Sequence, residues 1–308
     1  MQISANNLSY ITNKVENLSY KLRKNFDRLP LLHLMKEQAY QKALNDHARF
    51  LPPLDNLNTS ILNTLRQEGT CMVPIKELDL ISTNAMMTTA SSLAGKLDTI
   101  SPSSNKSENC EVGPCKDDFR EFPEMLMWAL ESRLLNIVEN YIGLPVLYQG
   151  FAMRKSIADG QYSGVRRWHI DWEDRRIIKI IIYLNDVAAG GGPYEYIPRR
   201  ITSKAIETLN YYNLGYLSDD EMREVVPQKD WAACLAETGS IIITDTSSVF
   251  HRAQPPTLKE RFSITFCYTS TNPIVIWRSP KISRQQWEIL NNKLNQRQKN
   301  CLYKRKFN

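Results

Sequence analysis

The chain has 308 residues, 42% of them hydrophobic, enough to bury a real core, so a fibrous or wholly disordered protein is excluded. A formal charge of +6 leaves room for an acidic ligand, but the basic residues are not gathered into the stripe of a nucleic-acid binder, and no nucleic-acid partner is expected. Lys299, Lys304, Arg305 and Lys306 crowd the C-terminal end, where such a run reads as a solvated tail.

Cys71, Cys110, Cys115, Cys234, Cys267 and Cys301 fall at spacings that match no zinc signature, and read as reduced thiols. The first residues lack the uninterrupted apolar core of a secretory signal. No apolar stretch is long enough to span a bilayer, so a cytoplasmic location and no membrane partner are expected. There is no fixed-period repeat, which argues against solenoids and propellers.

Residues 1–50 carry apolar positions at helical spacing, such as Leu31, Leu32, Leu34 and Met35, and read as helical. Pro52 and Pro53 open a loop over 51–60; a helix follows from about Thr59 to Glu68, stopped by Gly69, and then a strand from Cys71 to Ile75. The polar stretch from Ser101 to Asp118 reads as an exposed loop, a candidate lid or insert. From Phe122 to Tyr141 the apolar period is helical, closed by Gly143 and Pro145.

After Pro145 the texture changes. Short β-rich runs at 146–154, 176–184, 192–197, 239–245 and 261–269 are separated by turn residues, the pattern of an antiparallel sandwich or barrel rather than a parallel α/β sheet. A helical insert over 203–228 interrupts them, and a last helix is expected over 283–299.

The protein has four histidines, and two of them, His169 and His251, end β-rich segments. His169 and Asp171 form a His-x-Asp pair; two residues apart on a strand, their side chains share one face. A distant second histidine completes a facial triad, which leaves three positions open on an iron(II) ion for a bidentate 2-oxo acid and O2. The far carboxylate of such an acid suits a guanidinium better than an ammonium. Arg261 follows His251 by ten residues, with Ser263 on the same strand face as a second donor. Pro255 and Pro256 mark a turn between them, which puts the two on adjacent strands facing one cavity.

The strings LLNIVENYIGLPV, WHID, IIKIIIYLND, GGGPYEYIP and HRAQPPTLKER, with the earlier LRQEGTCMVPI, resemble the phytanoyl-CoA dioxygenase family of iron(II)- and 2-oxoglutarate-dependent oxygenases. The resemblance covers residues 57–275, leaving 1–56 as an N-terminal helical extension and 276–308 as a C-terminal helix and basic tail. It implies a mainly β fold with α elements, a double-stranded β-helix of jelly-roll, cupin-like form. It further implies metal ligands His169, Asp171 and His251, a 2-oxoglutarate anchor at Arg261 and Ser263, and O2 as the other co-substrate.

Two departures weaken phytanoyl-CoA itself as substrate: Pro198, Arg199 and Arg200 stand where relatives read Pro-Gly-Ser-His, and no CoA-binding segment is legible. Halogenases of this class replace the carboxylate by a small residue, so Asp171 favours hydroxylation of a small molecule in secondary-metabolite tailoring. Desaturation, ring closure or epimerisation stay open, as do a lipid substrate and the oligomeric state.

Arg154, Arg166 and Arg167 read either as recognition of an anion or as solvated charges. Tyr183 reads as a co-substrate ligand or a structural tyrosine; Trp168 walls the pocket or packs the core. Gly190, Gly191 and Gly192 lack the spacing and lysine of a phosphate loop and read as a tight turn. Two rival functions are a cupin-like metal-binding module, which would not need Arg261, and a zinc hydrolase, for which no general base is evident.

Overall fold

The computed structural model describes residues 30–98, 111–112, 122–211, 215–274 and 284–302. The expected lid over 101–118, apart from Glu111 and Val112, lies outside them, as do residues 1–29, Cys110, Cys115 and the cationic run Lys304 to Lys306. Contacts divide the chain into two units, residues 1–50 and 51–308. The described part of the first is helix α1 (Pro30–Ala48).

In the second unit, helix α2 (Asn56–Glu68) begins earlier than its apolar period suggests because the Asp55 carboxylate caps the Asn58 amide at 2.7 Å. Gly69 ends it in the left-handed region at φ 81°, the expected stop. Strand β1 (Thr70–Pro74) and helix α3 (Thr83–Asp98) follow. The single helix expected from Phe122 to Tyr141 is two, α4 (Pro123–Ala129) and α5 (Ser132–Ile142). Glu131, with ψ 132°, breaks it by giving its carboxylate to the backbone amide and hydroxyl of Ser82.

The remaining strands are β2 (Glu111–Val112), β3 (Val146–Ser156), β4 (Ile178–Tyr183), β5 (Tyr194–Tyr196), β6 (Ala232–Cys234), β7 (Ser240–Asp245), β8 (His251–Ala253) and β9 (Arg261–Ser270). They form two antiparallel sheets, one of six strands in the order β1-β7-β4-β9-β3-β2 and one of three in the order β6-β5-β8. The expected insert becomes α6 (Arg199–Thr208) and α7 (Asp219–Arg223); the expected last helix splits into α8 (Arg284–Lys293) and α9 (Gln296–Asn300), where Asn295 caps the second. Among the described residues more lie in helix than in strand, so the expected mainly β character holds for the sheets that carry the candidate site and not for the chain.

Strand alternation sorts the large sheet into two faces. Ile178, Ile180, Ile182, Ile241, Ile243, Ile264, Phe266 and Tyr268 are buried against Leu62, Leu65, Met125, Trp128 and Val138 of the helices. Each fully buried side chain of this kind contributes roughly 1.5–3 kcal/mol. A one-residue slip of β4 would therefore expose three isoleucines and drive Lys179 into the helical layer. That apolar face fixes which residues look the other way, toward the small sheet: Lys179, Ile181 and Tyr183 of β4, Arg261, Ser263, Thr265 and Cys267 of β9, and Arg154 and Ser156 of β3.

Candidate metal and co-substrate site

The segment bearing His169 is not a full strand. Trp168 and His169 make isolated bridges, His169 with His251 through reciprocal backbone bonds of 3.1 and 3.0 Å, and the Asp171 amide donates to the Thr246 carbonyl at 2.9 Å. Trp168 is fully buried; Arg252 lies 4.5 Å above its ring, Trp231 packs edge-on, and its indole donates to Asp219 at 3.1 Å. Trp168 packs a core behind the site.

Backbone carbonyls orient both imidazoles. Nδ1 of His169 lies 2.8 Å from the Arg167 oxygen, and Nδ1 of His251 lies 3.1 Å from the Val249 oxygen. With the proton at Nδ1, the lone pair of each ring is at Nε2. Both Nε2 atoms face Asp171, at 3.8 Å from Oδ1 for His169 and 3.7 Å from Oδ2 for His251. The three candidate ligand atoms all lie within 4.8 Å of one another. Three donors each about 2.1 Å from one ion are about 3–4 Å apart, so the set closes on a cation with little movement.

Burial, then Asp171 and neighbouring cations, set the charges. His169 is held below the ordinary imidazole value by burial, and His251 is lowered to about 3 by burial and then by His169. Burial alone would raise Asp171, but Lys179, His251 and His169 hold it below the carboxylate range. Two neutral imidazoles and one carboxylate are the donor set a divalent cation needs.

The metal-free protein then has a defined pH response. Unfolded imidazoles titrate near 6.5 and folded His251 near 3, so the unfolded state binds more protons between these values. Stability is full above 6.5 and falls as the pH drops toward 3. At the other end Lys179 is pushed up to about 12 by Asp171 and then Glu173, against burial, from an ordinary 10.5; its contribution is full below 10.5 and lost as the pH rises through 12. Thermal melts of metal-free protein should show Tm falling between about pH 7 and pH 4; a flat Tm there contradicts buried neutral imidazoles.

Arg261 is buried at the start of β9 with Nη2 donating to Ser156 Oγ at 3.1 Å. Ser263 stands in register with Arg154 on one side and Tyr183 on the other. His251 and Arg261 are not on paired strands, as the Pro255–Pro256 turn suggested: His251 belongs to the small sheet and Arg261 to the large one. The connection seats on the glycine turn. Thr257 and Leu258 amides donate to the Gly190 carbonyl at 3.0 and 2.9 Å, and Gly192, at φ 67°, passes so close that a Cβ there would fall 2.4 Å from the Gln254 oxygen.

The other expected positions separate. The Tyr183 hydroxyl donates to the Cys234 carbonyl at 3.1 Å and accepts from the Tyr194 amide at 2.8 Å, which ties the two sheets together. Arg154 is half-buried on the inner face, and its charge acts on His169 and Tyr216. Arg166 is neither a solvated charge nor an anion binder: 1% exposed, it grips Asp159 and the carbonyls of Ile157 and Gln161. Arg167 donates to the Tyr216 carbonyl at 3.2 Å. The described cysteines, Cys71, Cys234, Cys267 and Cys301, are free thiols.

Three groups went unread in the sequence. Lys179 touches Asp171 Oδ2; its signal was available, since it is the one charge in the apolar run 177–184. The Tyr216 ring stands edge-on to His169 at 5.2 Å. Asp245 accepts from the Ile177 and Ser247 amides, from Tyr141 at 2.6 Å and from Arg199 at 3.0 Å, and so fixes the corner whose Thr246 carbonyl holds Asp171. Nothing local in the sequence announces that cluster.

No protein-family model matches the sequence, and no curated protein matches it. Solved structures do. Similar to it are HygX from Streptomyces hygroscopicus, solved with nickel and 2-oxoglutarate bound (13% identity, 76% of this chain and 94% of HygX, TM-score 0.48), and SnoN (13% identity, 70% and 84%, TM-score 0.44). SnoN is described as a non-haem alpha-ketoglutarate-dependent epimerase from nogalamycin biosynthesis. AviO1 from Streptomyces viridochromogenes Tue57 is a third (15% identity, 72% and 98%, TM-score 0.44). No helix among the described residues is long and apolar enough to cross a membrane.

Proposed function

We propose that this chain is an iron(II)- and 2-oxoglutarate-dependent oxygenase of the phytanoyl-CoA dioxygenase type, with residues 57–275 as its double-stranded β-helix domain. The single observation that carries the reading is the convergence of His169, Asp171 and His251 on one point, with their ligand atoms within 4.8 Å. Arg261 adds a guanidinium on the same interior.

His169 and His251 supply Nε2, and Asp171 supplies a carboxylate oxygen. Arg261, with Ser263 beside it, binds the distal carboxylate of 2-oxoglutarate through charge-assisted hydrogen bonds. A planar guanidinium fork would orient a carboxylate bound to it more strictly than an ammonium. Bound iron supplies the activation of O2 that couples oxidative decarboxylation of 2-oxoglutarate to attack on a substrate C–H bond. Ile181 and Thr265, paired across β4 and β9, stand on the same inner face.

The finer reading is hydroxylation of a small molecule in secondary-metabolite tailoring, supported by the carboxylate at Asp171. Purified protein supplied with iron(II), 2-oxoglutarate and O2 is expected to release succinate even without substrate. Absence of succinate, together with no 2-oxoglutarate binding to metal-loaded protein, rejects the oxygenase in favour of a metal-binding module of the same shape.

A further inference from the structure

Asp171 is the one candidate ligand with a choice of atoms. Both its oxygens lie near the imidazoles, Oδ1 at 3.8 Å from His169 and Oδ2 at 3.7 Å from His251. The terminal torsion of an aspartate is broad, so nothing in the residue itself prevents it from presenting both oxygens to one ion. A bidentate carboxylate would take one of the three positions that the keto acid and O2 require.

Lys179 removes that freedom. Its backbone is held in mid-sheet, paired with Thr244 of β7 on one side and Cys267 of β9 on the other. Its side chain crosses the inner face, and the ammonium meets Asp171 Oδ2. The Asp171 main chain is pinned independently, through its amide to Thr246. The carboxylate is thus fixed at both ends, with Oδ2 engaged by the lysine.

We propose that Lys179 is the positioning residue of this centre: by holding Oδ2 it leaves Oδ1 alone for the metal and preserves the open positions. The inference rests on the metal reading above and adds a role for a residue outside the triad. It also has a sign of its own. Removing a cation beside a divalent ion should tighten metal binding by Coulomb's law alone, whereas losing a group that orients a ligand should weaken it by about 10–100-fold.

Cobalt(II) titrated into the metal-free protein reads both quantities, the affinity by calorimetry and the carboxylate mode by d–d absorption. Lys179→Met is expected to weaken cobalt binding by about 10–100-fold and to change the spectrum. Lys179→Arg, which keeps a donor at Oδ2, should restore the wild-type spectrum. A Met variant that folds and binds cobalt as tightly as wild type, or more tightly, with an unchanged spectrum overturns the role of Lys179. If Lys179→Met fails to fold, Lys179→Ala, which likewise leaves no donor for Oδ2, carries the same two readouts. Failure of the wild type to bind cobalt instead removes the metal reading, and this proposal with it.

Discussion

Asp171→Ala is expected to weaken metal binding by more than about 100-fold, because loss of a mere supporting partner already costs about 10–100-fold. The substitution acts twice. It removes a donor, and it leaves the ammonium of Lys179, whose side chain is 24% exposed, facing the incoming cation without its hydrogen-bonded partner and with only the field of Glu173 to offset it. Breaking a fully buried pair on one side costs about 3–5 kcal/mol, and the partial exposure of Lys179 makes the loss here smaller. The double variant Asp171→Ala/Lys179→Met should therefore be more stable in the metal-free state than Asp171→Ala alone, a non-additivity that a denaturation series on the four proteins measures. Additive losses would mean that the two side chains do not share one site. Succinate formation should disappear in both variants.

Arg261→Ala should leave metal affinity intact and strike the co-substrate. The side chain is 5% exposed, so a carboxylate bound there is largely desolvated. Truncating one partner of a buried, hydrogen-bonded charge pair costs about 2–5 kcal/mol, that is, roughly 30- to several-thousand-fold in 2-oxoglutarate affinity. Arg261→Lys keeps the charge but loses the planar fork, so its effect should be intermediate. Titration of 2-oxoglutarate into metal-loaded variants decides this; wild-type affinity in Arg261→Ala would remove the assigned anchor and revive the metal-binding module. The split matters because Asp171→Ala and Arg261→Ala then fail at different steps.

Much of the candidate site was legible because it is local. His169 and Asp171 are two residues apart, Arg261 and Ser263 likewise, and the run 177–184 is apolar enough to be read as a central strand. Period-two alternation then puts Arg261 and Ser263 on one face without any knowledge of neighbours. The glycine turn was readable for the same reason, since its conformation is a property of the residues themselves.

Tertiary structure decided the rest, through partners far apart in the chain. The break at Glu131 depends on Ser82, a residue 49 positions away. The fate of the arginines depends on what each meets: Arg166 folds back on its own loop, Arg261 enters the interior beside Ser156, and Arg199 joins Asp245 and Tyr141. Composition could not separate these, because charge and burial are independent until the chain is packed. Lys179 marks the boundary between the two kinds of information. Its isolation in an apolar strand is a fact of sequence, and alternation assigns it to the face of Ile181 and Tyr183. That this face looks onto Asp171, and not into the helical layer, follows only from the isoleucines opposite, whose burial against the helices sets the register of the sheet.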